Sequence, residues 1–418
     1  MASQFIRERL KREKKMQFAK RLEPLRSNVF AEMDNAKAKA RAAGHQVIDL
    51  SLGSSDQPTP HHALEAIGAS LSDTTTHGYM LFHATKEFRE VAARWYEQKY
   101  GVAVNPETEV LQLIGSQEGT AHLPLAVLNP GDFALLMDPG YPSHAGGVYL
   151  ASGQIYTMPL RAENGFLPVF GDIPAAVLDQ ARMMVLSYPH NPTSAMAPLS
   201  FFEEAVAFCQ RHDLVLVHDF PYCDLVFSGS VPSVLQADRD KTVSIEFFTM
   251  SKSYNMGGFR IGFAIGNAEL IRALRNVKAA IDFNQYRGIL NGAIAALTGP
   301  QDCVTATVET YRRRRDTFVG ALNRIGWSVP LPQATMYVWA KLPSPWEQDS
   351  IGFCIKMVEA TGVAASPGAG FGKAGEGYVR FALVHEPPVL EAAVAKIGTF
   401  LRSTNSIPAE PEAVSARI

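Results

Sequence analysis

From about residue 60 to 300 the chain alternates short apolar, β-branched runs with helix-like stretches, and nothing else in it narrows the possible folds so far. The runs at 110–114, 133–137, 183–187 and 214–218 read as buried strands, each followed by small polar, glycine or proline residues. Between them, 119–127 and 201–211 read as helices. Strands separated by helices need crossover connections, which predicts an α/β fold with a mostly parallel sheet and helices on both faces.

Beyond 303 the pattern changes. A charged helix over 304–322, with Arg312 to Arg315 in a row, leads into strand-like segments at 337–340 and 378–382. These predict a smaller, discontinuous α+β domain that the stretch 47–52 joins from the other end of the chain. The expected division is an N-terminal arm at 1–45, a large domain at 60–302, a small domain from 46–59 plus 303–402, and a loose tail at 403–418. A length of 418 residues suits one large and one smaller unit, at roughly 150 residues per domain.

Charge excludes some functions. Lysine plus arginine number 39 against 41 acids, so no overall field draws the chain to nucleic acid or to an anionic membrane. The first 26 residues carry nine basic side chains and three acids, and Ile6, Leu10, Phe18, Leu22 and Leu25 are spaced for a short amphipathic helix that packs on the body or on a second subunit. The four cysteines lie far apart, which points to a reducing compartment rather than to a disulfide or zinc scaffold. With no apolar run near the roughly 20 residues a membrane span needs and no secretion-type leader, a cytoplasmic location is expected.

In open parallel sheets ligands bind beyond the carboxyl ends of the strands. The run Ser251-Lys252-Ser253-Tyr254-Asn255-Met256-Gly257-Gly258-Phe259-Arg260 follows the apolar stretch 245–249. A lysine buried there loses basicity and becomes an amine able to form a Schiff base. Arg260, Thr249 and Ser251 can neutralise and hydrogen-bond a phosphate, and Gly115-Ser116-Gln117-Glu118-Gly119 can offer free amides at a helix start. Two phosphate-holding elements around one lysine point to pyridoxal phosphate, whose chemistry also needs an acid at the ring nitrogen. Asp219 is the candidate, although an aspartate at a strand end also serves as a helix cap. Tyr222 and Asn191 can reach the ring hydroxyl.

With His77-Gly78-Tyr79, Pro139-Gly140-Tyr141-Pro142, Asn191-Pro192-Thr193 and Arg380 added, the chain resembles a class I/II aminotransferase of the fold-type I pyridoxal-phosphate superfamily over residues 45 to 400, closest to the alanine and LL-diaminopimelate subgroup. The resemblance implies pyridoxal 5'-phosphate as cofactor and amino-group transfer between an amino acid and a 2-oxo acid. It implies Lys252 as Schiff-base lysine and proton shuttle, Asp219 at the ring nitrogen with His144 orienting it, and Tyr141 on the ring face. Asn191 and Tyr222 would bind the ring oxygen, and Ser116, Gln117, Glu118, Thr249, Ser251 and Arg260 the phosphate. Tyr79 would reach in from the second subunit of a homodimer, Arg380 would clamp the substrate carboxylate, and Gly53 would let the backbone approach the substrate.

Departures from the alanine-type pattern gather on the substrate side: Gln117 where lysine is common, Ala84 for a glycine, Asn28 for a tyrosine, and a polar segment at 282–287. They keep open a pyridoxal-phosphate lyase or cyclase whose residues 282–287 read a functionalised side chain. A cofactor-sensing transcription regulator fits poorly, since about 45 residues ahead of the first strand are too few for a DNA-binding domain.

Overall fold

The structure, a computed structural model, describes residue 16, residues 18–25 and residues 29–407. Ile6, Leu10 and Asn28, and the tail beyond residue 407, lie outside them.

The strands, in chain order, are β1 (Ile48–Asp49), β2 (Val110–Leu113), β3 (Phe133–Asp138), β4 (Gln154–Pro159), β5 (Ala181–Leu186), β6 (Val215–Asp219), β7 (Ser244–Thr249), β8 (Gly262–Gly266), β9 (Tyr337–Lys341), β10 (Val363–Ala364), β11 (Ser366–Pro367) and β12 (Tyr378–Ala382). Seven form the central sheet in the order β2-β8-β7-β6-β5-β3-β4. All neighbours in it are parallel except β8, which runs antiparallel to both β7 and β2.

Period-two alternation puts successive residues on opposite faces of this sheet. Leu135, Met184 and Leu216 enter one apolar core, whereas Leu136, Val185 and Val217 enter the other. Both faces are covered, as continuous apolar strands require. Across the sheet, Glu246 on β7 is wholly buried and accepts hydrogen bonds from Tyr96 Oη (2.9 Å), Ser233 Oγ (2.6 Å) and the Val234 amide (2.8 Å), and it pairs with His218 Nδ1 on β6 (2.8 Å). A buried carboxylate is tolerated only with such a set of partners.

A third core gathers the antiparallel sheet β11-β12-β9 and the helices Asp302–Arg324, Ser350–Thr361 and Pro387–Ser403. β1 joins it by pairing parallel to β10, and Leu50 continues the contact through Ala364 and Ala382. The helix Val29–Ala42 belongs here too, because Met33, Ala36 and Ala40, spaced for one helical face, are buried in this core. Ile407, past the last helix, packs into it as well.

The amphipathic helix expected near the N-terminus does not extend through the described residues 18–25. They form only a 3-10 turn at Lys20–Leu22, with Phe18, Leu22 and Leu25 exposed. Pro24 has no amide N–H with which to continue the turn's hydrogen bonds, which accounts for the stop. Among the described residues, no helix is long and apolar enough to cross a membrane.

Candidate active site

A cavity of about 850 Å³ opens where β3, β5, β6 and β7 end and the third core begins. Lys252 stands in it, one turn past β7, in a short helix that Thr249 caps by accepting from the Ser251 amide (3.2 Å). Its Nζ donates to Gly53 O (2.6 Å). A Cβ on Gly53 would lie 1.9 Å from Tyr337 Oη, so only glycine lets this carbonyl come so close.

Asp219 ends β6 and is buried. Its Oδ2 pairs with His144 Nε2 at 2.9 Å, while Oδ1 has no hydrogen-bond partner among the described residues. A buried carboxylate oxygen left so is an acceptor awaiting a donor. Tyr141 lines the same space, its ring edge-on to His144 at 5.6 Å, and burial pushes its phenol up.

At the other end Ser116, Thr249, Ser251 and Arg260 line the wall. The helix Ser116–Val127 starts from Gly115 with no side-chain cap; the Glu118 amide donates to Gly115 O (3.2 Å), and the Ser116 and Gln117 amides are placed to meet an anion. Gly115 has φ +75°, and a Cβ there would lie 2.6 Å from Arg260 Nη2. Glycine thus brings the guanidinium against the helix start.

Arg380, on β12, is buried over the rings of Tyr337 (4.3 Å) and Phe371 (4.6 Å). Its Nη1 donates to Asn191 Oδ1 (2.8 Å), and its Nη2 to Ser51 O (2.7 Å) and Ser366 Oγ (3.3 Å). Its Nε is buried with no partner among the described residues. Tyr222 donates to Tyr337 Oη (3.0 Å). Burial raises both phenols, but at Tyr337 the charges of Arg380 and Lys252 outweigh it and hold the group below 10, making it the more acidic of the two.

Two residues expected at the cofactor stand elsewhere in this chain. Glu118 turns from the cavity into the protein, where Lys278 Nζ meets its two oxygens at 2.8 and 3.0 Å. Successive helical residues are about 100° apart, so Ser116 and Gln117 face the cavity while Glu118 faces the helix Ala268–Ile281. Tyr79 lies outside the cavity and is 96% exposed. Residues 282–287 do not line the cavity either. Gln285 instead donates to Arg260 O (3.1 Å), Asn284 to Met80 O (2.8 Å) and Tyr286 to Ser70 O (2.7 Å). Ala84 is likewise absent from the wall, whereas Gln117 is part of it.

Tyr337, Phe371, Ser366 and Ser51 are functional neighbours that the residue pattern did not single out.

The family described as aminotransferase class I and II matches residues 45–397. The chain belongs to this family. The aminotransferase is 43% identical over 386 residues to an LL-diaminopimelate aminotransferase of Dehalococcoides mccartyi, covering 92% of this chain and 99% of that one. It is 44% identical to a solved probable N-succinyldiaminopimelate aminotransferase of Thermus thermophilus, with a TM-score of 0.85 over 89% of this chain and 99% of that chain. To substrate-bound BacF of Bacillus subtilis it is 35% identical, with a TM-score of 0.88 over 92% and 98% of the two chains.

The fold is therefore fold type I, and the protein is a pyridoxal-phosphate-dependent enzyme that moves an amino group between an amino acid and a 2-oxo acid. The residues present suit that cofactor. The unpaired Asp219 oxygen is an acceptor for a ring N–H, and three hydroxyls, a guanidinium and a bare helix start are donors for a phosphate.

Proposed function

We propose that this aminotransferase draws its amino group from a diaminopimelate-type amino acid and passes it to a 2-oxo acid. The names of its relatives support the donor. One observation carries the chemistry: Lys252 Nζ, the unpaired Asp219 oxygen and the unpaired Arg380 Nε belong to residues lining a single cavity.

Pyridoxal phosphate, when bound, supplies a ring that accepts the electron pair left at the substrate α-carbon. Lys252 Nζ carries the proton removed from that carbon. Asp219 would hold the ring nitrogen's N–H, with His144 fixing the carboxylate through Oδ2. Asn191 and Tyr222 would attend the ring oxygen, and Tyr141 would cover the ring face. Ser116, Gln117, Thr249, Ser251 and Arg260 would hold the phosphate together with the bare helix start. Arg380 grips the substrate carboxylate, and Tyr337 and Phe371 shield that grip from water.

The working unit in this reading is a cytoplasmic homodimer. Tyr79 (96%), Leu81 (48%) and Ile281 (54%) are exposed on two segments that meet where Phe82 packs on Phe283 and Asn284 bonds Met80 O. Such neighbouring apolar exposure supports a covered face, with Tyr79 reaching the second subunit's site. The large and small domains follow the division at 60–302 and 46–59 plus 303–402, and the helix Val29–Ala42 is assigned to the small one by its core contacts.

The test is a donor panel with purified holoenzyme. LL-diaminopimelate or its N-succinyl derivative should exceed alanine by at least about tenfold in kcat/KM, with ping-pong kinetics. Equal rates on all donors, or dehydration or ring closure without an oxo-acid acceptor, would refute the proposal.

A further inference from the structure

Asp49 and Lys37 touch none of the groups that handle the reacting atoms, yet both line the cavity. Lys37, on the helix Val29–Ala42, has its Nζ 2.8 Å from Asp34 Oδ1 and donates to Asp49 Oδ2 at 3.2 Å. The other Asp49 oxygen accepts both from the Ser51 amide (2.9 Å) and from the Ser51 hydroxyl (2.5 Å). Two bonds from one carboxylate oxygen to one residue fix that residue's orientation, in the manner of an Asx turn. The Ser51 carbonyl then points at Arg380 Nη2, 2.7 Å away, and also accepts from Ser366 Oγ at 2.9 Å.

The chain of contacts runs Lys37, Asp49, Ser51, Arg380 without a gap. Asp49 is suited to its place: burial pushes its carboxyl up, but the Ser51 hydroxyl and amide and the Lys37 ammonium outweigh this and keep it ionised. Arg380 itself has two of its nitrogens committed to Asn191, Ser51 and Ser366, so its remaining freedom depends on how firmly those acceptors stand. Asn191 belongs to the loop after β5. Ser51 belongs to the segment after β1 and is held by Asp49.

We infer that Asp49, locked by Lys37, is a positioning residue for the substrate-carboxylate grip, setting through the Ser51 carbonyl where the Arg380 guanidinium stands. This rests on Arg380 being that grip. Because amino-acid and oxo-acid substrates both carry the carboxylate, loss of the strut weakens both half-reactions alike. Lys252 and Asp219 stand on the central-sheet side of the cavity, so the proton transfer itself is left nearly intact.

The experiment compares D49A, K37M, K37R and R380K holoenzymes in both half-reactions, together with their absorption spectra and melting temperatures. D49A should raise KM for donor and acceptor by about tenfold and K37M by about threefold, with kcat changed by less than about twofold. K37R should restore the wild-type KM, since it keeps the cation, and the spectra should match wild type. If KM stays flat in D49A and K37M while R380K raises it, or if kcat falls with KM unchanged, the inference is overturned and the reading of Arg380 survives. If R380K leaves KM unchanged, both fall. Should D49A not fold, the K37M and K37R pair decides, because that side chain, 14% exposed, borders the cavity rather than an apolar core.

Discussion

Arg380 Nη1 donates a 2.8 Å hydrogen bond to Asn191 Oδ1, joining β12 in one sheet to the loop that follows β5 in the other. A substrate carboxylate gripped by Arg380 is thus fixed relative to both halves of the molecule. Lysine would keep the charge and lose the planar fork. R380K is expected to lower kcat/KM by about 100-fold, mostly through KM, and N191A by about tenfold, read from steady-state kinetics on donor and acceptor.

Lys252 lines the cavity and donates to the Gly53 carbonyl at 2.6 Å. K252A should abolish turnover by a factor on the order of 10⁴ and stop exchange of the substrate α-hydrogen with deuterated water. Added methylamine should restore part of the exchange. Retention of wild-type exchange by K252A would remove Lys252 from the proton-transfer role.

The unpaired Asp219 oxygen makes a prediction about cofactor retention. D219N keeps the shape and loses the charge. A hydrogen bond to a charged group contributes about 1.5 to 3 kcal/mol, so retention after dialysis should fall by roughly 10- to 100-fold, followed by cofactor absorbance.

Gly53 has no space for a methyl group, since a Cβ would meet Tyr337 Oη at 1.9 Å. G53A should cost about 1 to 3 kcal/mol in stability by overpacking, and activity should fall further because Gly53 O also holds Lys252. In the G53A/Y337A double variant the stability losses should be less than additive, because the clash is then relieved.

His190 is buried, and its burial, aided by nearby His144, pushes it from 6.5 down to about 3. Between those values the unfolded chain binds a proton that the folded one does not, so stability is present above 6.5 and is lost as the pH falls. The loss contributed by this residue is up to about 1.4 kcal/mol per pH unit. Melting temperature measured against pH should fall less steeply on acidification in H190Q than in wild type.

The strands legible in the sequence were those buried on both faces. β3, β5 and β6 begin and end within two residues of the apolar runs, because nothing but burial dictates their composition. β4 escaped notice as an edge strand whose Gln154 and Pro159 are exposed, and β8 because glycines bound its five residues. The site followed the same logic. Lys252, Asp219, Ser116 and Arg260 sit in short contiguous motifs at strand ends, where one segment supplies residue and context together. Tyr337, Ser366 and the Asp49–Ser51 pair come from three separate segments, and only the folded contacts gather them around Arg380. Glu118 was misplaced by adjacency to Ser116 and Gln117, since its helical phase, set by Lys278, cannot be read from a motif.

Glu246 draws the Tyr96 hydroxyl, Ser233, Val234 and His218 onto one carboxylate. A relative that lacks any of these partners therefore cannot receive β7 alone. A graft that carries the glutamate without its tyrosine and histidine leaves a buried carboxylate short of partners, so the smallest transplantable cassette includes the helix Lys86–Tyr100, the helix start at 233–234 and both strands.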